Sequence, residues 1–251
     1  MNLPMLPEPL STAQLAALAL SGLLIGMSKT GLSGLFNCMI PVLAWAFGGK
    51  LSSGLVLPML ILADVFGVGY YHRGADWKAL RQLMPGALLG IALGAWIGWV
   101  VSESAFKLLM AGLILLGLAV MFWTERQGME RMPSHPAFAA VTGLLGGIAT
   151  MIGNAAGPIM SVYLLAMRLP KQAFIGTGAW FFMMVNVSKV PFHIWQWHTI
   201  TLNSVLLNLA ALPLIAAGAW AGIRITRRIP EQPYRRFVQA TTFISVGLLL
   251  L

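Results

Sequence analysis

This chain of 251 residues contains few charged residues. Only 9% of its residues are Asp, Glu, Lys or Arg, whereas about a quarter are charged in a soluble globular domain. The mean hydropathy is +0.81. Such a composition excludes a soluble domain and indicates an all-α integral membrane protein. Its apolar blocks are all needed to build one helix bundle, so we expect a single domain, residues 1–251.

Cysteine and catalytic motifs are also scarce. The single Cys38 excludes an internal disulfide and a cysteine metal site. No HxxxH pair or carboxylate cluster predicts a metal ion, no Ser-His-Asp or Cys-His set predicts an enzyme, and no nucleotide-binding loop predicts ATP hydrolysis. We therefore expect no cofactor and no catalytic residue. The 16 basic residues outnumber 7 acidic ones, but they are scattered through short loops, which argues against nucleic-acid binding.

The chain contains an internal duplication. Matched residues recur at a spacing of 121, which becomes 128 after a short insertion near position 200. Matched charges and histidines are better evidence for duplication than matched glycines, because glycines align by chance in so apolar a chain. The matches include Gly22 with Gly143, Lys50 with Lys171, His72 with His193, and Glu103 with Glu231. We predict a first repeat at about 10–123, a polar linker at 124–135 and a second repeat at about 136–251.

Charged loops predict how the repeats lie in the membrane. Loops rich in Lys and Arg lie on one side, which the positive-inside rule makes cytoplasmic: 73–81, 125–131, 168–171 and 224–236. Both termini are then expected outside. Loop 73–81 and its repeat equivalent, 194–199, fall on opposite sides, which predicts two repeats of inverted topology. That arrangement is the usual basis of alternating access. The apolar segments predict eight transmembrane helices, or up to ten segments with the short ones included.

Each repeat is interrupted at the same point by a glycine-rich break. Unwound backbone is tolerated in a membrane only where protein or a water-filled cavity surrounds it. A helix that restarts after such a break presents unpaired N–H groups and a positive dipole end, which suit an anion. The flanking short segments are either thin spans or hairpins that return. The candidate substrate-binding residues are Ser28, Lys29, Thr30, Gly31, Ser33 and Gly34 in the first break and Thr150, Gly153, Asn154 and Gly157 in the second.

The alternative is that these glycines serve only close helix packing, as the Gly-x-x-x-Gly pattern beginning at Gly22 does. Ionisable residues within apolar runs are a second signal. Asp64 and Lys189 each cost roughly 2.5–3.5 kcal/mol at a membrane centre, so each needs a partner or a cavity. Asn186, Lys189 and His193 share a helix face and predict a polar lining.

Two questions about these ionisable residues stay open at this point. Lys189 lies near the end of its apolar segment and could extend to the membrane surface instead of lining a site. Asp64 could pair with Lys189 or carry protons in exchange for substrate. Asp64 and His193 are therefore candidates for proton coupling, and Asn186 and Lys189 join the candidates for substrate binding.

The order of these features resembles the TauE/SafE group of transporters. The resemblance rests on the two breaks, the second ending Gly157-Pro158, on the loop Arg168–Lys171, and on the Arg-rich turn through Glu231 and Arg235. It runs from about Gly22 to Leu251. It implies a bacterial inner-membrane protein that exports sulfite or organosulfonates, and hence a small sulfur-containing anion as substrate.

The sequence thus predicts a secondary transporter, an exporter of small sulfur-containing anions that works by alternating access. The alternative is an anion channel or passive pore, which would give ohmic currents instead of saturable flux. A membrane enzyme or scaffold has no supporting motif. We expect a small anion and the lipid bilayer as partners, no nucleic acid, and leave a homo-oligomer open.

Overall fold

The computed structural model describes residues 9–32, 35–127 and 136–230, together with 232–234, 236–237 and 240. The secondary structure of these residues is helical throughout and includes no strand. The α-helices are α1 (Thr12–Lys29), α2 (Met39–Phe47), α3 (Gly49–Leu55), α4 (Leu57–Tyr71), α5 (Trp77–Val100), α6 (Glu103–Gln127), α7 (Pro136–Gly153), α8 (Gly157–Ala166), α9 (Lys171–Pro191), α10 (Leu202–Ala210) and α11 (Leu212–Arg228).

Four helical stretches in the described residues are long and apolar enough to cross a membrane: Thr12–Lys29, Gly49–Gly74, Trp77–Val100 and Lys171–Gln196. A fifth candidate is the pair α10 and α11, which is bent by 49°. The all-helical membrane fold is therefore confirmed. The count of eight spans exceeds these four or five and stays a prediction.

Prolines explain two breaks that the apolar pattern did not predict. The apolar run 200–223 is divided at Ala211, just before Pro213, and the apolar run 52–71 is divided at Val56, just before Pro58. A proline has no N–H to donate, and its ring opposes the carbonyl four residues earlier, so it is favoured only in the first turn of a new helix. Each apolar run consequently contains two helices.

The predicted linker begins within a helix. Helix α6 continues through Gln127, so residues 124–127 of the predicted linker 124–135 are helical. Residues 128–135 lie outside the described part of the chain.

Two tight helix pairs, α1 with α11 and α5 with α7, are prominent in the bundle. A Cβ atom on Gly26 would lie 2.2 Å from the carbonyl oxygen of Ile215, and a Cβ on Gly147 would lie 2.2 Å from that of Ala87. Both distances are far below van der Waals contact. Glycine lets the backbones touch at these crossings, as small residues do between membrane helices.

Apolar side chains cover much of the outside of this bundle, and polar ones lie within it. Trp45 is 85% exposed, Leu108 74% and Trp220 64%, which is typical of a lipid-facing surface. In contrast, Asp64 and Lys189 are completely buried. Polar groups enclosed in a membrane protein need partners or a function, and these two lie at the level of the helix breaks.

Candidate functional site

The two breaks line the same cavity, which has a volume of about 70 Å³. A buried water needs roughly 10–15 Å³ measured in this way, so the space suits about five water-sized groups, or one compact anion. The lining residues come from both repeats: Ser28, Lys29, Gly31, Phe36, Leu60, Thr150, Asn154, Gly157, Met160, Ser161, Leu164, Phe174, Ile175, Gly178, Ala179, Phe182 and Asn186.

The first break begins where α1 ends, at Lys29. Gly31 has φ +127°, a conformation that side-chain-bearing residues rarely adopt. A Cβ atom there would also lie 2.5 Å from Oγ1 of Thr226 on α11. The hydroxyl of Tyr234 donates to the Gly31 carbonyl at 2.7 Å. The chain can therefore leave α1 and line the cavity at this point only because Gly31 is a glycine.

In the second break the left-handed residue is Asn154, with φ 55°, and not Gly153 or Gly157. Asparagine tolerates this conformation better than most residues. Its side-chain amide donates to the carbonyl of Ser53 on α3 at 2.9 Å. This bond ties the break in the second repeat to a helix of the first.

Gly153 lies apart from the main cavity. It lines a smaller apolar pocket, and a Cβ atom on it would make ordinary contacts of 3.4 Å with Met110. Gly157 does line the main cavity and starts α8. The N-cap residue Ala156 supplies no side-chain cap, and the first turn of a helix leaves N–H groups without intrahelical partners. The positive end of α8 thus borders the cavity.

Lys29 and Asp64 form an ion pair at the cavity wall, with 3.0 Å between Nζ and Oδ1. The Lys29 side chain is 10% exposed, whereas Asp64 is fully buried. Asn186 donates to the other carboxylate oxygen, Oδ2, at 2.6 Å, and the Lys29 ammonium lies 4.1 Å from the centre of the Phe182 ring. Asp64 is thus paired with Lys29, and not with Lys189 as one reading of the sequence proposed.

Helix packing explains this pairing. A Cβ atom on Gly67 of α4 would lie 2.6 Å from the carbonyl oxygen of Lys29, so the end of α1 touches α4 one turn from Asp64. Sequence spacing contains no information about this approach, because α1 and α4 belong to different segments of the chain.

Lys189 lies directly behind the cavity wall and does not extend to the membrane surface. Its Nζ lies 3.1 Å from the carbonyl oxygen of Thr150, 3.0 Å from Oγ1 of the same residue, and 2.6 Å from Oδ1 of Asn154. Both residues line the cavity. All three contacts of the amino group are therefore with neutral groups of the second break.

Two predicted site residues point elsewhere. Thr30 donates from its hydroxyl to the carbonyls of Gly26 at 2.8 Å and Ala219 at 3.1 Å, so it contributes to the contact between α1 and α11. His193 is fully buried, with Nδ1 2.8 Å from Oγ1 of Thr199. Of the predicted stripe Asn186, Lys189 and His193, only Asn186 lines the cavity. Ser33 and Gly34 lie outside the described residues.

Ser161 and Phe182 line the cavity but were not predicted from the sequence. Ser161 lies four residues after Gly157 on α8, and Phe182 lies four residues before Asn186 on α9. Residues four apart share a helix face, so extending each face from the predicted residue would have found them. Where the structure describes the chain, it holds no group of three or more metal-ligating side chains. The cavity instead combines a cation, hydroxyls, amides and a helix N-terminus, which are donors for an anion.

Comparison with known proteins gives a family match over most of the chain. The family model described as Sulfite exporter TauE/SafE matches residues 18–249. A protein of Comamonas testosteroni, described as "Probable inner membrane transporter protein TsaS", is 28% identical over 201 residues, which are 78% of this chain and 81% of that protein. No solved structure matches.

Proposed function

The chain belongs to the sulfite exporter TauE/SafE family, and we propose that it is a secondary transporter that exports a small sulfur-containing anion by alternating access. The family membership supports a membrane transporter of the sulfite or organosulfonate type in the inner membrane. The direction of transport, the mechanism and the site are our proposals. The direction follows the family description, and the structure supports the site and the mechanism.

The observation that carries the proposal is the cavity shared by the two breaks. The amino group of Lys29 is at its wall, and that of Lys189 lies directly behind, bonded to the lining residue Asn154. A compact anion in the cavity would meet Lys29, the hydroxyls of Ser28 and Ser161, and the N-terminus of α8. Hydrogen bonds to a charged group are worth about 1.5–3 kcal/mol each, so a few of them offset the desolvation of a small oxyanion.

The arrangement of the repeats also supports the proposal. Helix α1 of the first repeat packs against α11 of the second, while α7, the repeat equivalent of α1, packs against α5, the equivalent of α11. The first helix of each repeat thus packs against the corresponding helix, α11 or α5, of the other repeat. Exchange of this kind is expected for repeats related by a two-fold axis, and such an axis in the membrane plane supports alternating access.

A matched pair of lysines supports the same relationship. Lys50 and its repeat equivalent, Lys171, each donate from Nζ to a backbone carbonyl and lie near an aromatic ring. The partners also match at the spacing of 128. Lys50 donates to the carbonyl of Val101 at 2.7 Å and lies 5.7 Å from the ring centre of Phe106. Lys171 donates to the carbonyl of Ile229 and lies 5.3 Å from the ring centre of Tyr234. Three pairs of corresponding residues in corresponding contacts favour a structural repeat over accidental likeness.

The short helices fit a site near the middle of the membrane. α2 and α8 contain 9 and 10 residues, so each is about 15 Å long, half the hydrocarbon thickness of roughly 30 Å. We propose that they are half-helices whose inner ends meet the cavity. We propose further that each repeat crosses the membrane an odd number of times, that both termini lie outside and that the linker around 124–135 lies inside.

Transport by the purified full-length chain in liposomes tests this function. We expect saturable uptake of radiolabelled sulfite that accelerates when unlabelled sulfite is present on the opposite side, and loss of uptake in Lys29→Gln. Lys107, exposed on α6, supplies the matched control, because Lys107→Gln removes the same charge at a residue that does not line the cavity. Ohmic currents without counterflow would favour a pore. Absence of flux for sulfite and for small sulfonates would refute the proposal.

A further inference from the structure

Lys189 is a fully buried lysine that contacts two residues of the cavity wall without lining the cavity itself. Its Nζ lies 2.6 Å from Oδ1 of Asn154, and 3.1 Å and 3.0 Å from the carbonyl oxygen and Oγ1 of Thr150. Within the described part of the chain no carboxylate pairs with it, because Asp64 is paired with Lys29. An ammonium without a counter-charge is costly in such surroundings. The protonation of Lys189 therefore depends on what occupies the cavity beside it.

The three contacts of Lys189 fit a neutral amine and an ammonium equally well. The carbonyl of Thr150 only accepts, and Oδ1 of Asn154 faces the lysine because Nδ2 donates to the carbonyl of Ser53 at 2.9 Å. These two acceptors take the two N–H groups of an amine. The Thr150 hydroxyl then donates to the nitrogen lone pair, or accepts from the third N–H of an ammonium. Lys189 can thus gain or lose a proton while only a hydroxyl hydrogen rotates.

The other ionisable groups in the same interior are each held in one protonation state. Lys29 contacts the Asp64 carboxylate, and the two oxygens of Asp64 face the donors of Lys29 and Asn186. A proton on Asp64 would oppose one of these donors. His193 has Nδ1 2.8 Å from Oγ1 of Thr199, and its buried Nε2 has no hydrogen-bond partner among the described residues. An imidazolium would leave that second N–H without an acceptor.

The remaining titratable side chains on the elements packed against α9 lie near its opposite end. There a Cβ atom on Gly74 would lie 2.7 Å from the carbonyl oxygen of Gln172. These residues are Tyr70, Tyr71, His72, Arg73, Asp76, Lys78, Arg81, Tyr163 and, on α9 itself, Lys171. Lys189 is consequently the ionisable group beside the cavity whose contacts suit both protonation states.

We propose that Lys189 is a proton-binding residue that couples anion binding in the cavity to the uptake of one proton, an inference that rests on the proposed function. An anion beside Asn154 and Thr150 is one hydrogen bond away from Nζ, and its negative charge offsets the cost of an ammonium there. The proton comes from water that enters with the anion and returns to water when the anion leaves. A monovalent anion and its proton then cross together without net charge, so export follows the concentration of the anion inside.

Methanesulfonate separates the proton of the protein from that of the ligand, because this anion stays ionised near neutral pH. Calorimetry of the purified full-length protein in detergent, in two buffers of different ionisation enthalpy, counts the protons taken up for each anion bound. We expect uptake by wild type. Because the complex binds one proton more than the free protein, its affinity for methanesulfonate should fall as pH rises, by at most about tenfold for each pH unit.

Two variants of Lys189 distinguish proton binding from a structural role. Lys189→Arg carries a charge that it does not release, so it should bind methanesulfonate without proton uptake and with an affinity independent of pH. Lys189→Met, of similar volume, keeps the test decisive if the arginine variant does not fold. It should bind more weakly and also take up no proton. His193→Gln and the exposed control Lys107→Gln should retain the uptake of wild type.

Exchange of radiolabelled sulfite in liposomes tests the coupling independently of methanesulfonate. Both compartments are held at the same pH, and the pH is then varied. Sulfite itself changes its charge near neutral pH, but this contributes equally to wild type and to Lys189→Arg. We expect the half-saturating concentration of wild type to rise more steeply with pH than that of Lys189→Arg.

The outcomes that overturn the coupling differ from those that overturn transport. Binding of methanesulfonate by wild type without proton uptake refutes the coupling and leaves the proposed transport intact. Undiminished uptake in Lys189→Met does the same and would assign the proton to Asp64. Identical pH profiles of sulfite exchange in wild type and Lys189→Arg also refute the coupling. Absence of methanesulfonate binding together with absence of sulfite flux refutes the proposed function as well.

Discussion

Asn154 and Lys189 are joined by a hydrogen bond of 2.6 Å between Oδ1 and Nζ, deep in the protein. Asn154 is the residue with left-handed backbone conformation in the second break, and Lys189 is a buried lysine of α9. The bond couples the shape of the break to a titratable group. A change at either residue is therefore expected to alter the cavity wall.

Removing Lys29 should weaken anion binding. Lys29→Ala eliminates a charge-assisted contact worth about 1.5–3 kcal/mol, which corresponds to roughly a tenfold to hundredfold rise in the half-saturating concentration. Lys29→Arg keeps the charge, but its planar fork is wider than an ammonium and should restore binding only in part. Liposome uptake over a range of sulfite concentrations measures the effect, with Lys107→Ala as the control. Unchanged affinity in Lys29→Ala would instead assign the essential charge to Lys189.

The two buried lysines should differ in their effect on stability. Lys29→Met leaves the Asp64 carboxylate buried without its counter-charge, which costs about 3–5 kcal/mol. Lys189→Met leaves only neutral acceptors, Thr150 and Asn154, without a donor, at about 1–3 kcal/mol. Chemical unfolding of the purified variants in detergent should therefore rank Lys29→Met as the less stable. The opposite ranking would show that the ion pair seen at the cavity wall is not maintained in solution.

Gly31 and Gly153 should respond differently to alanine. Gly31→Ala forces a side chain into a positive-φ conformation, at a cost of about 1–3 kcal/mol, and places Cβ against Thr226. Gly153→Ala adds only ordinary contacts with Met110 and should change stability by less than about 1 kcal/mol. Thermal unfolding in detergent and uptake in liposomes provide the measurements. Equal losses in both variants would contradict the backbone geometry described for the first break.

The bulky variants Gly31→Leu and Gly153→Leu extend this comparison to function. Because Gly31 lines the cavity, its leucine variant should lose transport even where the protein remains in the membrane. Gly153 lies beside a separate apolar pocket, so transport by a well-expressed Gly153→Leu variant would show that this glycine serves packing and is not part of the site.

The inverted arrangement predicts opposite locations for the linker and the C-terminus. By the positive-inside rule we expect the basic residues around 125–131 to lie inside, and an odd number of crossings in the second repeat would leave the C-terminus outside. Paired reporters that are active only on one side, fused at Gly128 and after Leu251, should give opposite signals. Identical signals from the two fusions would eliminate the inverted-repeat proposal.

The fold class and several polar residues that line the cavity could be predicted from the sequence, because both depend on local properties. Low charge and long apolar runs require helices in a membrane, and glycine-rich interruptions mark where such helices break. On this basis we predicted Ser28, Lys29, Gly31, Thr150, Asn154 and Gly157, and the polar helix face added Asn186; all seven line one cavity. The family resemblance, which rests on the order of these motifs, is confirmed.

The pairing of charges could not be predicted in the same way. Asp64 and Lys189 are the two ionisable residues that stand out within apolar runs, and pairing them was a natural reading. The structure instead pairs Asp64 with Lys29, because the end of α1 lies against Gly67. Thr30 adjoins the predicted site in sequence yet faces α11, since successive residues near a helix end point in different directions.

The sequence by itself determined that this protein is a helical membrane protein, that it breaks its helices at two corresponding points, and which polar residues lie near those points. These features follow from residue type and spacing within single segments. Only the tertiary structure decided that both breaks line one cavity, that Asp64 neutralises Lys29, and that Lys189 is held by Thr150 and Asn154. The physical reason is that these contacts join helices distant in sequence, where side-chain volume and backbone approach, and not periodicity, set the partners.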